Sequence, residues 1–156
     1  MLGDAGCALR ESAEHWLAFD EGTAVLAERA TGKVLQRVNR ERCAAAVLSP
    51  DGRRIATGGG DGTLILWDAQ TGKVIAETRA HSSWLMDLAF SRDSTRILSG
   101  GGDQMIRIWD ATGDKPLQQE LGRRIGHWNE VWVVAFTEDG RIVSGGKDSK
   151  VKIWDG

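Results

Sequence analysis

The sequence lacks a strong excess of charge of either sign, and it lacks long apolar runs. Its 156 residues include 20 lysines and arginines against 22 aspartates and glutamates, for a formal net charge of -2. Nucleic acids and anionic membranes attract strongly basic proteins, so neither is an expected partner. No stretch approaches the roughly 20 apolar residues of a membrane-spanning helix, and the acidic N-terminal segment is unlike a secretory signal. We therefore expect a cytoplasmic protein that binds neither nucleic acid nor membrane.

Cysteine and proline are scarce, and tyrosine is absent, with 2, 2 and 0 residues. Cys7 and Cys43 have neither CxxC spacing nor a nearby cluster of ligands, so we expect both to be reduced, buried thiols rather than zinc ligands. The glycine clusters are not followed by the Gly-Lys-Ser/Thr of a phosphate loop, and the aspartate turns lack the carboxylate density of a calcium loop. The sequence predicts no metal and no cofactor.

Glycine and tryptophan are abundant, with 20 and 7 residues. A glycine cluster, an aspartate, an alternating apolar run and a Trp-Asp pair recur together, as GGGDGTLILWD, GGGDQMIRIWD and GGKDSKVKIWD. The three Trp-Asp pairs begin at Trp67, Trp109 and Trp154 and are spaced by a little over 40 residues, which indicates one supersecondary unit per repeat.

Within each repeat the apolar residues alternate or form short blocks between Gly, Asp and Ser turns. This pattern is typical of short antiparallel strands. In the third repeat it predicts strands over Leu85–Phe90, Arg96–Ser99 and Met105–Trp109, followed by a fourth strand after the sequence ATGD. A helical period extends for at most a turn or two, at Arg10–Glu14. The sequence therefore predicts an all-β protein.

The Gly126-His127 pair, the Trp-Asp pairs and the period resemble WD-repeat β-propellers. In that family each repeat forms a four-stranded blade of a ring around a central channel. The resemblance is strong from Glu41 to Gly156 and weaker before it, where Ala27 replaces the tryptophan. It implies a partial β-propeller of about four antiparallel blades, of which the last lacks its outer strand. The units of this single domain, 1–156, are a degenerate blade 1–39, blades 40–79 and 80–120, and the incomplete blade 121–156.

The resemblance also implies a buried hydrogen-bond relay, in which a Trp, a Ser or Thr, a His and an Asp satisfy one another. The matching residues are Thr57, Asp61 and Trp67 in the second repeat, His81, Ser99, Asp103 and Trp109 in the third, and His127, Ser144, Asp148 and Trp154 in the fourth. The second repeat has Arg40, Glu41 and Arg42 where the histidine belongs, and the first, with Leu17 and Ala27, has lost the relay. We therefore expect stability to rise toward the C-terminal repeats and expect little effect from replacing Arg40.

Serine, histidine and aspartate thus occur together twice, which invites comparison with a hydrolase. A hydrolase needs one exposed nucleophile beside an oxyanion hole, whereas this trio recurs in successive repeats beside a tryptophan. We predict no catalytic residues and no enzymatic activity.

Other tryptophans point to a binding surface. The resemblance places Trp84 and Trp132 at the start of inner strands, on the narrow face where members of the family contact partners. Exposed Trp, Met and Arg are enriched at interface hot spots. The alternative is that the rings pack between blades. The predicted partner-binding residues are Arg42, Trp84, Met86, Trp128, Glu130, Trp132 and Lys147.

Four repeats would form an open arc, because rings of this family usually close with roughly seven or eight blades. Met1–Asp4 is too short and too polar to supply the missing outer strand. Open blade faces and an unpaired strand edge recruit partners. We expect a non-catalytic interaction scaffold or recognition module that another copy or a separate partner chain completes. The alternative is a regulatory sensor segment of a larger multidomain signalling protein of the ATPase or kinase type.

Overall fold

Short strands and tight turns make up the part of the chain that the computed structural model describes, which is residues 8–11, 14–19, 22–118 and 120–156. The strands are β1 (Ala8–Glu11), β2 (His15–Phe19), β3 (Thr23–Glu28), β4 (Val34–Asn39), β5 (Cys43–Leu48), β6 (Arg54–Gly59), β7 (Thr63–Asp68), β8 (Val74–Arg79), β9 (Leu85–Phe90), β10 (Arg96–Gly101), β11 (Met105–Asp110), β12 (Glu120–Ile125), β13 (Val131–Phe136), β14 (Ile142–Gly146) and β15 (Val151–Trp154). No helix in these residues is long and apolar enough to cross a membrane.

The strands form four antiparallel sheets in chain order. The first three sheets have four strands each, β1–β4, β5–β8 and β9–β12, and the last has three, β13–β15. The first strands of successive sheets, β5, β9 and β13, lie side by side. The predicted all-β partial propeller is therefore confirmed, including the three-stranded last sheet in the described part of the chain.

The strand bounds correct two expectations. The helical turn at Arg10–Glu14 is wrong, because β1 extends through Glu11 and pairs with β2, Glu11 opposite Trp16. A helix of one or two turns is marginal in water, so a sheet that supplies a full ladder of hydrogen bonds outcompetes it. The predicted division between residues 120 and 121 falls inside β12, whose pairing with β11 places the whole strand in the third sheet.

The core consists of three apolar layers, each between two successive sheets. Neighbouring residues of one strand point into different layers because side chains alternate across a sheet. Trp67 of β7 packs against Leu17 and Leu26 of the first sheet. The adjacent Leu66 packs instead in a layer with Leu88 and Ile97 of the third sheet. The third layer joins the third and fourth sheets through Leu98, Ile106, Ile108, Val131, Val134 and Ile142.

Cys43 lies buried in the first layer, as predicted, and forms no disulfide within the described residues. Cys7 and the segment Met1–Asp4 fall outside the described residues.

Packing between sheets predicts a contrast between two leucines. Leu66→Ala should lower the free energy of unfolding by about 2–5 kcal/mol, because Leu66 is fully buried and its removal leaves a cavity between two sheets. Leu121→Ala on the exposed outer strand β12 should cost less than about 1 kcal/mol. Urea unfolding of both variants measures the contrast, and equal losses would contradict the assignment of the core.

Candidate functional site

A buried chain of hydrogen bonds lies at one end of the third sheet. The indole Nε1–H of Trp109 donates to Ser99 Oγ at 3.0 Å, and that oxygen lies 2.8 Å from Nε2 of His81. Nδ1 of His81 lies 2.8 Å from Asp103 Oδ1. An indole only donates and a carboxylate only accepts, so the Ser99 hydroxyl donates to Nε2 and the Nδ1–H donates to Asp103. Every polar side-chain group in this hydrogen-bond network has a partner.

The fourth sheet repeats the arrangement. Trp154 Nε1–H donates to Ser144 Oγ at 2.8 Å, and Ser144 Oγ lies 2.8 Å from His127 Nε2. Nδ1 of His127 lies 2.9 Å from Asp148 Oδ2. The spacing of residues in the sequence thus places the two predicted sets of four residues in the same geometry.

Two glycines make room for the histidines. A side chain at Gly101 would overlap the His81 ring, and one at Gly146 would place its Cβ 2.7 Å from Nδ1 of His127. Because contacts that short essentially never occur, the glycine cluster before each turn aspartate is required for the imidazole to approach the sheet.

The second repeat uses arginine where the others use histidine. Trp67 donates to Thr57 Oγ1 at 2.8 Å, and Arg40 Nη2 donates to Asp61 Oδ1 at 2.7 Å. A Cβ at Gly59 would lie 2.5 Å from Arg40 Nη2, so the guanidinium occupies the place of the imidazole. The expectation that replacing Arg40 has little effect therefore no longer follows.

The substitution is incomplete, however. No hydrogen bond joins Arg40 to Thr57 in the described residues, and the buried Nε of Arg40 has no partner there. In the first repeat the register places Ala18, not Leu17, at the position of Thr57, because Ala18 pairs with Val25 as Thr57 pairs with Ile65. Leu17 is a core residue.

Arg107 is a member of the third network that the sequence analysis missed. Its Nη1 donates to Asp103 Oδ2 at 2.9 Å, and its Nε lies 3.4 Å from Glu120 Oε2. The corresponding residues of the second and fourth sheets are Ile65 and Lys152, so no repeated residue type identifies this contact in the sequence.

The turn aspartates are held in the ionised form. Burial opposes this for Asp103, but hydrogen bonds from His81 and Arg107 hold its pKa well below the usual range. Burial also raises the pKa of Asp148, but hydrogen bonds from His127 and from the amides of Trp128 and Lys150 outweigh it and lower the pKa to about 2. An ionised carboxylate makes stronger hydrogen bonds than a neutral one, so each aspartate anchors its turn.

These anchors position the loops of the narrow face. Asp103 Oδ2 accepts the amide of Ser82 at 3.2 Å, and Asp148 Oδ2 accepts the amide of Trp128 at 3.1 Å. Each aspartate thus links the loop before the first strand of its sheet to the turn between the second and third strands of the same sheet. We call the surface formed by segments 40–42, 60–62, 82–86, 102–104, 126–132 and 147–149 the rim.

Backbone hydrogen bonds repeat along the rim. The carbonyls of Arg42, Trp84 and Glu130 accept from the amides of Gly60, Gly102 and Lys147 at 3.0, 2.8 and 2.9 Å. Arg42, Trp84 and Glu130 are therefore equivalent positions, and the register places Met86 and Trp132 together at a second one. The predicted partner-binding residues accordingly belong to one surface of the molecule.

The rim presents three exposed indoles, those of Trp84, Trp128 and Trp132. The ring of Trp84 lies over Gly60 of the preceding sheet, at 3.4 Å from the position of an added Cβ, yet the side chain stays exposed. Trp132 Nε1–H donates to Glu130 Oε2 at 3.0 Å, and Lys147 Nζ lies 3.4 Å from the same oxygen. The rings of Trp84 and Trp132 therefore contact neighbouring segments without being covered by them.

Of the other predicted partner-binding residues, Arg42 and Lys147 are exposed, and Met86 and Glu130 are half-buried. The arrangement is an apolar surface with hydrogen-bonding and charged groups beside the rings.

The serine hydroxyls of the two networks are not arranged for catalysis. Ser99 and Ser144 are completely buried, and each oxygen is held between an indole and an imidazole. A nucleophile must reach its substrate and face an oxyanion hole. Among the described residues, no group of three or more His, Cys, Asp or Glu side chains is arranged to hold a metal ion.

Known proteins resemble this chain at the level of both repeat and fold. Residues 38–68, 72–110 and 118–155, which together make up more than half of the chain, match the family profile described as WD domain, G-beta repeat. A 50-residue segment, 32% of the chain, is 46% identical to Autophagy-related protein 16 of Arabidopsis thaliana and spans only 10% of that protein. The crystal structure of the computationally designed Ika4 protein is similar with a TM-score of 0.80 and 27% identity, over 99% of this chain and 94% of that one.

The networks predict how individual side chains contribute to stability. Ser144→Ala and His127→Ala should each lower the free energy of unfolding by about 1–3 kcal/mol, because each leaves buried polar groups without partners. Arg40→Ala should cost about 0.5–1.5 kcal/mol, since its partner Asp61 is half exposed to solvent. Ser83→Ala, at an exposed serine, should cost less than about 0.5 kcal/mol. Urea melts that show no difference between Ser83→Ala and Ser144→Ala would contradict the network.

The lowered aspartate pKa values predict acid sensitivity. Because the folded-state pKa of Asp148 is about 2 against a usual value of 3.8, its contribution to stability is complete above pH 3.8 and is lost as the pH falls through about 2. The free energy of unfolding should therefore decrease over that range, and Asp148→Asn should flatten the decrease. Chemical unfolding at a series of pH values provides the measurement, and a variant with the wild-type pH profile would contradict the anchoring role of Asp148.

Proposed function

Because the chain belongs to the WD40 repeat family, whose repeat domains are generally non-catalytic scaffolds for protein–protein interaction, we propose that it is such a scaffold and that its rim binds a protein partner. The observation that carries this proposal is the exposure of Trp84, Trp128 and Trp132 on one surface. Tryptophan is among the residues that contribute most binding energy at interfaces.

The construction of the rim supports a recognition role. Exposed indoles cost little conformational entropy on binding, since their backbone is held by repeated carbonyl and amide contacts and by the anchored aspartates. Glu130 and Lys147 supply charges beside Trp132 that can select between partners. The overall charge of -2 favours a protein partner over nucleic acid or an anionic membrane.

The proposal extends to the completion of the arc. A sheet that lacks a neighbour leaves one apolar face uncovered, and propellers normally close into rings. Another copy of the chain or a separate propeller chain would cover the open faces of the first and last sheets. The scaffold would then present the rim as part of a complete ring.

A second candidate is a regulatory sensor segment within a larger signalling protein. The match to the Arabidopsis protein favours it, because the similar segment spans only 10% of that relative. In this case the same rim would bind a protein, and the remaining blades would come from the same polypeptide.

The rim proposal predicts which substitutions weaken binding. Trp84→Ala and Trp132→Ala should each reduce affinity for a partner by more than about 1 kcal/mol, because each removes an exposed ring from the surface. Lys33→Ala and Lys73→Ala, in turns at the opposite ends of the strands, should leave affinity unchanged. Proteins captured by the tagged wild-type chain would be purified, and calorimetry would give their affinities for the four variants. Loss of binding in the lysine variants alone would place the binding surface at the other end of the strands.

A further inference from the structure

A positively charged cavity lies between the second and third sheets. Its volume is about 310 Å³, which is at the lower end of the range for small-molecule sites. The charged residues that line it are three arginines, Arg79, Arg107 and Arg123, and one carboxylate, Glu120. Ser82, which belongs to the rim, lines it as well. This space, which we call the arginine cavity, therefore adjoins the rim without including its exposed indoles.

Two of the arginines face each other across β11 and β12. Arg107 pairs with Arg123 in the register of the two strands. Glu120 lies between them, with Oε1 2.6 Å from Arg123 Nε and Oε2 3.4 Å from Arg107 Nε. Like charges directly opposite each other in a sheet repel, and one carboxylate compensates only part of this repulsion.

Arg107 forms the inner wall of the arginine cavity. Its side chain is largely buried, its Nη1 donates to Asp103 Oδ2 at 2.9 Å, and its Nη2 lies 3.1 Å from the sulfur of Met105. Because Asp103 and Glu120 hold the guanidinium from two sides, its charge stays in place at the buried end of the cavity.

The other two arginines have unused hydrogen-bond donors. Arg123 contacts Glu120 through Nε, and its two terminal nitrogens have no partner among the described residues. The guanidinium of Arg79 also has no partner in that part of the chain. Both side chains are exposed. Their N–H groups are therefore available to a ligand.

The shared architecture of the repeats does not require these arginines. In the second sheet, Ile65 and Glu77 occupy the register positions of the two facing arginines. Asn39 ends β4 where Arg79 ends β8. The gap between the first and second sheets thus has an apolar, an acidic and an amide side chain where the arginine cavity has three guanidinium groups. The same fold forms without them.

The unused donors match a phosphate group. A guanidinium presents a planar fork of N–H groups that fits the oxygens of a phosphate or a carboxylate. A phosphate monoester carries a charge of about -1.5 to -2 and three acceptor oxygens at neutral pH, more than a carboxylate offers. The three arginines outnumber the two carboxylates that contact them, Glu120 and Asp103. The more highly charged phosphate therefore suits this positive excess better than a carboxylate does.

We propose that the arginine cavity binds a phosphate group, either as a phosphorylated side chain of a protein or as free phosphate. Arg79 and Arg123 supply the donors that bind its oxygens, and Arg107 supplies a fixed positive charge at the inner wall. The proposal goes beyond the proposed function, because it assigns a second site that requires none of the exposed indoles. A phosphorylated segment bound there would lie beside Ser82 and so reach the rim.

Titration calorimetry of the full chain tests the ligand and its source. The probes are inorganic phosphate and phosphoserine capped at both ends. Tighter binding of the capped phosphoserine identifies a phosphorylated side chain as the ligand, and equal or tighter binding of inorganic phosphate identifies free phosphate. Capped glutamate, which offers a carboxylate, should bind at least about 10-fold more weakly than the better phosphate probe. Absence of phosphate binding at millimolar concentration, or equal binding of the glutamate probe, would overturn the proposal.

Two substitutions locate the binding site. Arg79→Gln and Arg123→Gln should each raise the dissociation constant of the better phosphate probe at least about 10-fold, because each removes a guanidinium from the cavity. Arg92→Gln, in the exposed turn between β9 and β10, removes the same charge outside the cavity and should leave the constant unchanged. An unchanged constant in either cavity variant, or an equal loss in all three variants, would contradict the site.

Arginine Nε–H signals in NMR spectra give a local readout of binding. Adding the better phosphate probe to the isotope-labelled chain should shift the Nε–H signal of Arg123 and leave that of Arg92 in place. Urea unfolding of the glutamine variants should match the wild type, because the substituted side chains are exposed. A shift at Arg92 without one at Arg123 would place the phosphate elsewhere and overturn the proposal. Because the probes are small molecules, these results do not depend on whether a protein partner binds Trp84 or Trp132.

Discussion

The structure depends on the burial of both faces of each sheet against its neighbours. A strand directs alternate side chains to opposite faces, so a sheet with apolar residues on both faces is stable only between two others. Leu66 and Trp67 are adjacent in β7 but belong to different apolar layers. Within the described residues, the second and third sheets have a neighbour on both faces, and the first and last sheets have a neighbour on one face. Burial of these apolar faces therefore determines both the stability of a sheet and its packing against other sheets.

The hydrogen-bond networks complement the apolar layers by fixing the loops that the layers do not reach. In the third and fourth sheets an indole, a hydroxyl and an imidazole lead from the core to an aspartate, and the aspartate holds the rim through a backbone amide. Burying these groups is tolerated because they satisfy one another. The backbone of the rim is thus held by buried hydrogen bonds, although the indoles of Trp84, Trp128 and Trp132 are exposed.

The second sheet shows how much variation the network accepts. Arg40 replaces the histidine by presenting a nitrogen donor to the same aspartate over the same glycine position. What is retained is the contact with the turn, and what is lost is the link to the buried hydroxyl of Thr57. The first sheet goes further, with Ala18 and Ala27 in place of the hydroxyl and the indole, so neither side chain can form the corresponding hydrogen bond.

The sequence by itself determined the repeat, the all-β class, the strands around each Trp-Asp pair and the two complete sets of network residues, because these depend on local alternation and on spacing within one repeat. Only the tertiary structure decided that β12 belongs to the third sheet and that Arg40 binds Asp61. It also decided that Arg107 joins the third network and that Arg54 and Arg96 contact the next sheet. These contacts link different strands or sheets, and their residue types differ between repeats or resemble ordinary surface charges. The exposure of Ile153 and burial of Ile108 make the same point: the two residues are identical in type and position within the repeat. Only the presence of a neighbouring sheet distinguishes them.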